Sequence, residues 1–318
     1  MSDKDLYKQY CETEGAKIPL FMQYWWMEAV CRDKTWDVAI ARDGDAILGV
    51  MPYLYGRKMG MTYILQPQLT QYSGPFYCYP DGLNEQQRLE FEKDVARKLI
   101  AQIEERRPAI FLQHFSPQVA NWLPFYWAGY SQTTRYTYRL DDISDPQRLF
   151  DSFDREKRQR KIRRYEDCTS VRYDMSPAEF ADLHACYWHD KGKRDLLGKD
   201  LIKHVCSTAV ARGNGVIASL HDADGKLLVA RFVAYDSRCA YALMSAYKVD
   251  THRSGHNETL LWALLQYLSD KTKSFDFEGS MDEGIEYFYR SFGAHQTPYF
   301  EIYKYRNSLV RWLMKLKK

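Results

Sequence analysis

Ser274-Phe275-Asp276-Phe277-Glu278-Gly279-Ser280, followed shortly by Gly284-Ile285-Glu286-Tyr287-Phe288-Tyr289-Arg290-Ser291-Phe292-Gly293, reads as a strand over Phe275–Gly279 and a short helix over Gly284–Phe292. Alternation puts Phe275 and Phe277 on one face of the strand and Asp276 and Glu278 on the other. Two carboxylates on one face near a strand end raise each other's pKa, so one of them stays available to accept a proton. Glu278 is the better candidate base, because Gly279 beside it lets a ligand approach the backbone. The competing assignment is one solvated and one structurally bonded carboxylate.

Upstream, Val216–His221, Lys226–Tyr235 and Arg238–Lys248 read as three antiparallel strands, turned by Asp222-Ala223-Asp224-Gly225 and Asp236-Ser237. The third strand feeds a helix over Glu258–Lys271 through Thr251-His252-Arg253-Ser254-Gly255-His256-Asn257. A polar, glycine-containing loop at a helix N-terminus offers N–H groups to an anion. Arg253, Gly255, His256 and Asn257 are therefore candidates for holding an anion, with Ala246 and Tyr247 on the strand just before them. An ordinary polar loop capped by Asn257 is the alternative.

Before these strands, Pro146 opens a long helix expected to reach Glu166, and Arg155–Arg164 carries seven basic residues against the single Glu156. Lys161 and Arg164 share a stripe with Lys157, which is either a solvated face or a phosphate site. Val171–Asp174 reads as a strand, and Ala178–Lys191 and Asp200–Ala211 as helices. The first half alternates similarly: helix Phe21–Cys31, strands Trp36–Arg42 and Ala46–Tyr55 around Asp43-Gly44-Asp45, a loop over Gln66–Pro80, helix Asn84–Arg106, strand Ala109–Phe115, helix Val119–Trp127 and strand Thr133–Leu140. Pro298–Tyr305 is a final strand. Both halves share one order of elements, which predicts an α/β (α+β) chain of two tandem domains, each a mixed, largely antiparallel sheet flanked by helices. The expected division is 1–140, 141–307 and a basic amphipathic tail over 308–318.

Tyr241-Ala242-Leu243, Leu260-Leu261-Trp262-Ala263 and the two stretches quoted first occur in register, and together they resemble the C-terminal acyltransferase domain of FemAB-like proteins of the GNAT superfamily. Phe288-x-x-x-Phe292-Gly293 is the most specific part, and the basic helix and Gln71-Tyr72-Ser73-Gly74-Pro75 resemble further parts of such proteins. The resemblance implies an N-acyltransferase moving an acyl or aminoacyl group, from acyl-CoA or aminoacyl-tRNA, to an amine of a cell-wall or surface-glycan precursor. The family's transition-state Phe-Lys pair falls on Phe288-Tyr289, so the Lys is absent. Tyr289 and the adjacent Arg290 are the candidate replacements, although one residue along a helix turns a side chain by about 100°. With Glu278 they complete the catalytic set. Lys161, Arg164, Tyr72 and Phe288 are the substrate-binding candidates. The other reading is a catalytically degraded GNAT-fold protein that binds a glycan or a nucleotide-linked precursor.

The chain has 318 residues, 45 basic against 42 acidic, and 45% apolar content, which fits a globular protein with a sizeable core. A net charge of +3 favours a local phosphate site on a nucleotide- or lipid-linked substrate over an extended tRNA footprint. Seven scattered cysteines without a C-x-x-C pair, and histidines without ligand spacing, indicate neither a disulfide framework nor a metal. No apolar run reaches the ~20 residues of a membrane span. The expected location is the cytoplasm, with the tail, 308–318, available to touch an anionic membrane surface.

Overall fold

The computed structural model describes residues 2–248, 253, 255–279 and 281–306. Its helices are α1 (Asp3–Glu14), α2 (Tyr24–Cys31), α3 (Glu85–Glu105), α4 (Leu123–Trp127), α5 (Pro146–Ser152), α6 (Arg160–Glu166), α7 (Pro177–Asp190), α8 (Lys199–Ala211), α9 (His256–Leu268) and α10 (Glu283–Arg290). Its strands are β1 (Trp36–Asp43), β2 (Ala46–Lys58), β3 (Met61–Leu65), β4 (Phe76–Tyr77), β5 (Ile110–His114), β6 (Ser131–Leu140), β7 (Thr169–Arg172), β8 (Gly215–Asp222), β9 (Leu227–Tyr235), β10 (Cys239–Tyr247), β11 (Ser274–Asp276) and β12 (His295–Tyr305). The tail, 308–318, and His252 lie outside the described residues.

The chain divides into two compact units, one built from residues up to 135 and from 298 on, the other from 136–297. In the first, β1, β2 and β3 pair antiparallel in turn, β3 pairs parallel with β5, and Glu301–Tyr305 of β12 closes on β5 antiparallel. Val95, Leu99 and Ile103, one stripe of α3, pack on Met51, Tyr53 and Phe111. Asn84 starts that helix with a reciprocal capping box to Gln87.

In the second unit the strands lie in the order β6-β11-β10-β9-β8-β7, with only β10 and β11 parallel. Val229 and Val233 of β9 share a core with Leu260, Leu261, Leu264 and Leu265 of α9. Phe232, on the opposite face, meets Phe180 of α7 at 6.5 Å between ring centroids. The sheet is thus covered on both sides by apolar stripes.

Several elements depart from the sequence expectation. The helix expected over Pro146–Glu166 is broken. Phe153 takes an extended conformation (ψ 147°) so that its ring reaches Trp262 and Phe292 in the core. Asp154 restarts the helix by accepting the N–H of Lys157 at 2.7 Å. A π-helical turn, Arg155–Gln159, leads into α6, and Gln159 Nε2 donates to the carbonyls of Phe150 and Phe153 at the break. Phe21 belongs to a short 3₁₀ turn, separated from α2 by extended Gln23. The expected loop Gln66–Pro80 contains β4, β3 precedes it, and the charged N-terminus forms α1 behind a Ser2–Asp5 capping box.

Candidate active site

Strands β10 and β11 stay paired only from Cys239↔Ser274 to Tyr241↔Asp276. β10 then shifts register against β9 between Tyr241 and Met244 and continues to Tyr247. β11 stops at Asp276, and the Phe277 N–H turns to the carbonyl of Tyr138 at 3.0 Å. Past Tyr241 the two strands therefore part. Alternate N–H groups of an antiparallel strand point away from its partner, so the far edge of β10 presents donors beside this gap.

Glu278 stands at the mouth of the gap. The strand expected to reach Gly279 ends earlier because Asp276, fully buried, turns the chain. Its Oδ1 accepts the Thr137 hydroxyl and the Glu278 N–H, while Thr137 Oγ1 accepts the Gly279 N–H at 2.9 Å. Glu278 is left in the left-handed region (φ 61°), a costly position for a residue with a Cβ. Gly279 admits no side chain, since a Cβ there would sit 2.2 Å from the Tyr136 carbonyl oxygen. Among the described residues Glu278 Oε1 is sealed from solvent without a hydrogen-bond partner. Burial, and then the Asp276 charge, hold its pKa well above the usual carboxylate range.

Tyr289 of α10 faces this region with its ring on Phe277 (4.9 Å) and Tyr138 (6.1 Å). Its hydroxyl senses both Glu278 and Arg231, and burial raises its pKa. Arg290 turns outward, exposed, and pairs with Glu286 at 2.8 Å, so Glu278 and Tyr289 come together and Arg290 does not.

The loop into α9 is organised by Glu258. One carboxylate oxygen meets Arg158 Nη1 (3.1 Å) and Lys161 Nζ (3.2 Å), and the other accepts the Gly255 N–H (3.0 Å). The helix N-cap is Gly255, not Asn257, because this position needs φ 116° and a Cβ would lie 2.4 Å from the Tyr165 ring. His256 Nδ1 accepts the Arg253 N–H at 3.1 Å, and burial lowers the imidazole pKa. Arg253 and His256 border a cavity of about 440 Å³ with Tyr165, Lys226 and Asp222. Lys161 is engaged within the protein, Arg164 is exposed, and Phe288 lies under the Arg158 guanidinium at 4.4 Å. Ala246 is buried, and Tyr247 packs on Tyr187 at 4.7 Å. Tyr72 belongs to the first unit, edge-on to Tyr299 at 5.3 Å.

Residues 152–289 match the family model for an acetyltransferase (GNAT) domain. This stretch is a GNAT acetyltransferase domain. Among solved structures, FemX aligns with a TM-score of 0.68 at 12% identity, covering 94% of each chain. The C-terminal domain of a putative lysylphosphatidylglycerol synthetase from Agrobacterium fabrum aligns at 0.57 and 14%, covering 99% of this chain and 97% of that one. A tandem GNAT protein from the clavulanic acid biosynthesis pathway aligns at 0.53 and 11%, covering 94% and 92%. No curated protein matches by sequence. The chain therefore carries the tandem GNAT-like fold, and its acetyltransferase domain makes it an acyltransferase.

Three features of the GNAT domain escaped the sequence reading. Arg231 interrupts the apolar run Leu227–Tyr235, an anomaly that was the available signal. Arg158 is the buried member of the basic helix, indistinguishable by sequence from its exposed neighbours. A second cavity of about 440 Å³ lies between α7, the loop holding Lys193 to Leu197, and Leu243 to Ser245 of β10. Among the described residues no group of three His, Cys, Asp or Glu side chains is placed to share a metal, and no helix is long and apolar enough to cross a membrane.

Proposed function

We propose that the GNAT domain transfers an acyl or aminoacyl group to an amine of a cell-wall or surface-glycan precursor, with Glu278 as the general base. The observation that carries this is the sealed Glu278 Oε1, without a hydrogen-bond partner among the described residues, beside the gap between β10 and β11. Glu278 takes a proton from the acceptor ammonium, and the freed nitrogen attacks the acyl carbonyl carbon. Backbone N–H groups on the edge of β10, around Ala246 and Tyr247, receive the developing oxyanion, with the Tyr289 hydroxyl as a further donor. The tetrahedral intermediate then collapses, breaking the C–S or C–O bond, and the second proton of the nitrogen passes to the departing thiolate or alkoxide.

An acyl-CoA donor suits the loop before α9, where Arg253 and Lys226 border one cavity and supply cations for phosphates. The cavity beside α7, with Lys193 and Arg194 on its rim, suits an anionic acceptor, on a nucleotide- or lipid-linked precursor. A lipid-linked acceptor is in keeping with the name of the lysylphosphatidylglycerol synthetase structure, and would bring the protein to a membrane surface.

The test is melting of the chain with CoA, acetyl-CoA and a UDP-linked muropeptide, followed by transfer assays on wild type and Glu278→Gln. Stabilisation by CoA supports the acyl-CoA donor, and stabilisation by the muropeptide supports the acceptor class. Retention of full transfer by Glu278→Gln would remove the proposed base.

A further inference from the structure

Arg231 occupies the middle of β9, opposite Ala218 of β8 and Ser245 of β10. Directly paired residues share a face, and Val229 and Val233, two positions either side, place that face against α9. The residue keeps 8% of its surface, and its Nε is sealed from solvent without a partner among the described residues. Among the described residues its side chain makes no hydrogen bond, ion pair or ring contact. The titratable groups whose charge acts on it are Tyr289 and Glu258, and Glu258 is already held by Arg158, Lys161 and the Gly255 N–H. The Tyr289 hydroxyl likewise has no hydrogen-bond partner among the described residues.

A guanidinium cannot shed its charge to escape burial. Enclosing it without a counter-charge is unfavourable, and folds keep such groups where a ligand completes them. Arg158 makes the contrast within the same domain, since its burial is balanced by Glu258 and the Phe288 ring.

We propose that Arg231 is the counter-charge for a carboxylate carried by a substrate of this transferase, gripped through the guanidinium fork next to the Tyr289 hydroxyl. One planar cation in an apolar wall matches a planar monoanion better than a phosphate, which would need several donors. This rests on reading the Glu278–Tyr289 region as the reaction site. The carboxylate belongs either to the acyl group, as in a dicarboxylic acyl donor, or to the acceptor, as in an amino acid or peptide end.

The experiment is thermal melting of the full chain, as wild type, Arg231→Met and Arg231→Lys, in acetate against chloride at equal ionic strength. Acetate is expected to raise the wild-type Tm saturably and leave Arg231→Met unmoved. Arg231→Met alone should melt at or above wild type, because it loses an uncompensated charge. Arg231→Lys should respond with a half-saturating concentration about tenfold higher, having lost the bidentate fork. Equal acetate responses in wild type and Arg231→Met overturn the proposal. If Arg231→Met does not fold, a normally melting Arg231→Lys without any acetate response overturns it as well.

Two further comparisons assign the source. Wild type, but not Arg231→Met, should prefer succinyl-CoA to acetyl-CoA if the carboxylate is on the donor, or L-alanine to L-alaninamide if it is on the acceptor. No preference in either pair also overturns the proposal. All these readouts are of binding, so they separate a failure at Arg231 from a failure of Glu278 as base, which shows only in transfer.

Discussion

The Asp276 carboxylate accepts the backbone N–H of Glu278 at 2.8 Å, so one acid sets the backbone of the next. The same carboxylate raises the Glu278 pKa by like charge, after burial. Asp276→Asn keeps an acceptor oxygen but removes the charge. The ionisation that switches the base on should then move to lower pH in a kcat/KM profile, with the plateau largely kept. Asp276→Ala loses the turn itself and should cost about 10²-fold in rate through misplacement. An unchanged acidic limb in Asp276→Asn would show that the Asp276 charge does not act on the base.

Glu278 also leaves a mark on stability. Its folded pKa lies above the unfolded value, so the folded state holds the proton more tightly. The associated stability is full below the unfolded pKa and is lost as pH rises through the folded one. Glu278→Gln cannot ionise and escapes that loss. Its Tm should match wild type near pH 4 and exceed it by a few degrees near pH 8, where the same variant is expected to be about 10²–10⁴-fold slower. Melting curves across pH that keep a constant separation between the two proteins would contradict the raised pKa.

The order of strands and helices was legible because its signals are local. The alternation in Trp36–Arg42, the stripe Val95-Leu99-Ile103 and the turn Asp222–Gly225 each depend on nearby residues. The break at Phe153 was not legible, because its cause is a ring drawn toward Trp262 and Phe292, more than a hundred positions away. At the candidate site, strand alternation pointed to Glu278 and the family resemblance to Tyr289. The fate of the basic residues could not. Whether Lys161 meets substrate or Glu258, and whether Arg231 or Arg290 turns inward, depends on pairings across the unit that no spacing encodes.

Gly255 offers a backbone test of the α9 loop. Its φ of 116° and the Tyr165 ring, 2.4 Å from where a Cβ would stand, oppose any side chain separately. Gly255→Ala should lose about 1–3 kcal/mol, the usual cost of a residue held in a sparsely populated conformation. Tyr165→Ala added to it removes the clash but not the φ penalty, so stability should return only in part. Full recovery on urea titration would mean that the ring alone excludes a side chain, and none would mean that the backbone alone does.

Glu258 is the member of the loop whose loss should cost most. It is buried, as is Arg158, and their 3.1 Å pair is reinforced by Lys161 and the Gly255 N–H. Glu258→Ala leaves a buried guanidinium without its carboxylate and an uncapped N–H, and should destabilise by about 3–5 kcal/mol. Lys161 is partly exposed, so its share of the same carboxylate is screened, and Lys161→Ala should cost about 1 kcal/mol or less. Arg158→Met with Glu258→Leu removes both buried charges and should recover much of the single-variant loss. Urea titration of these variants beside wild type measures the coupling directly. If Lys161→Ala proved as damaging as Glu258→Ala, the carboxylate would be held chiefly from the basic helix surface rather than by Arg158.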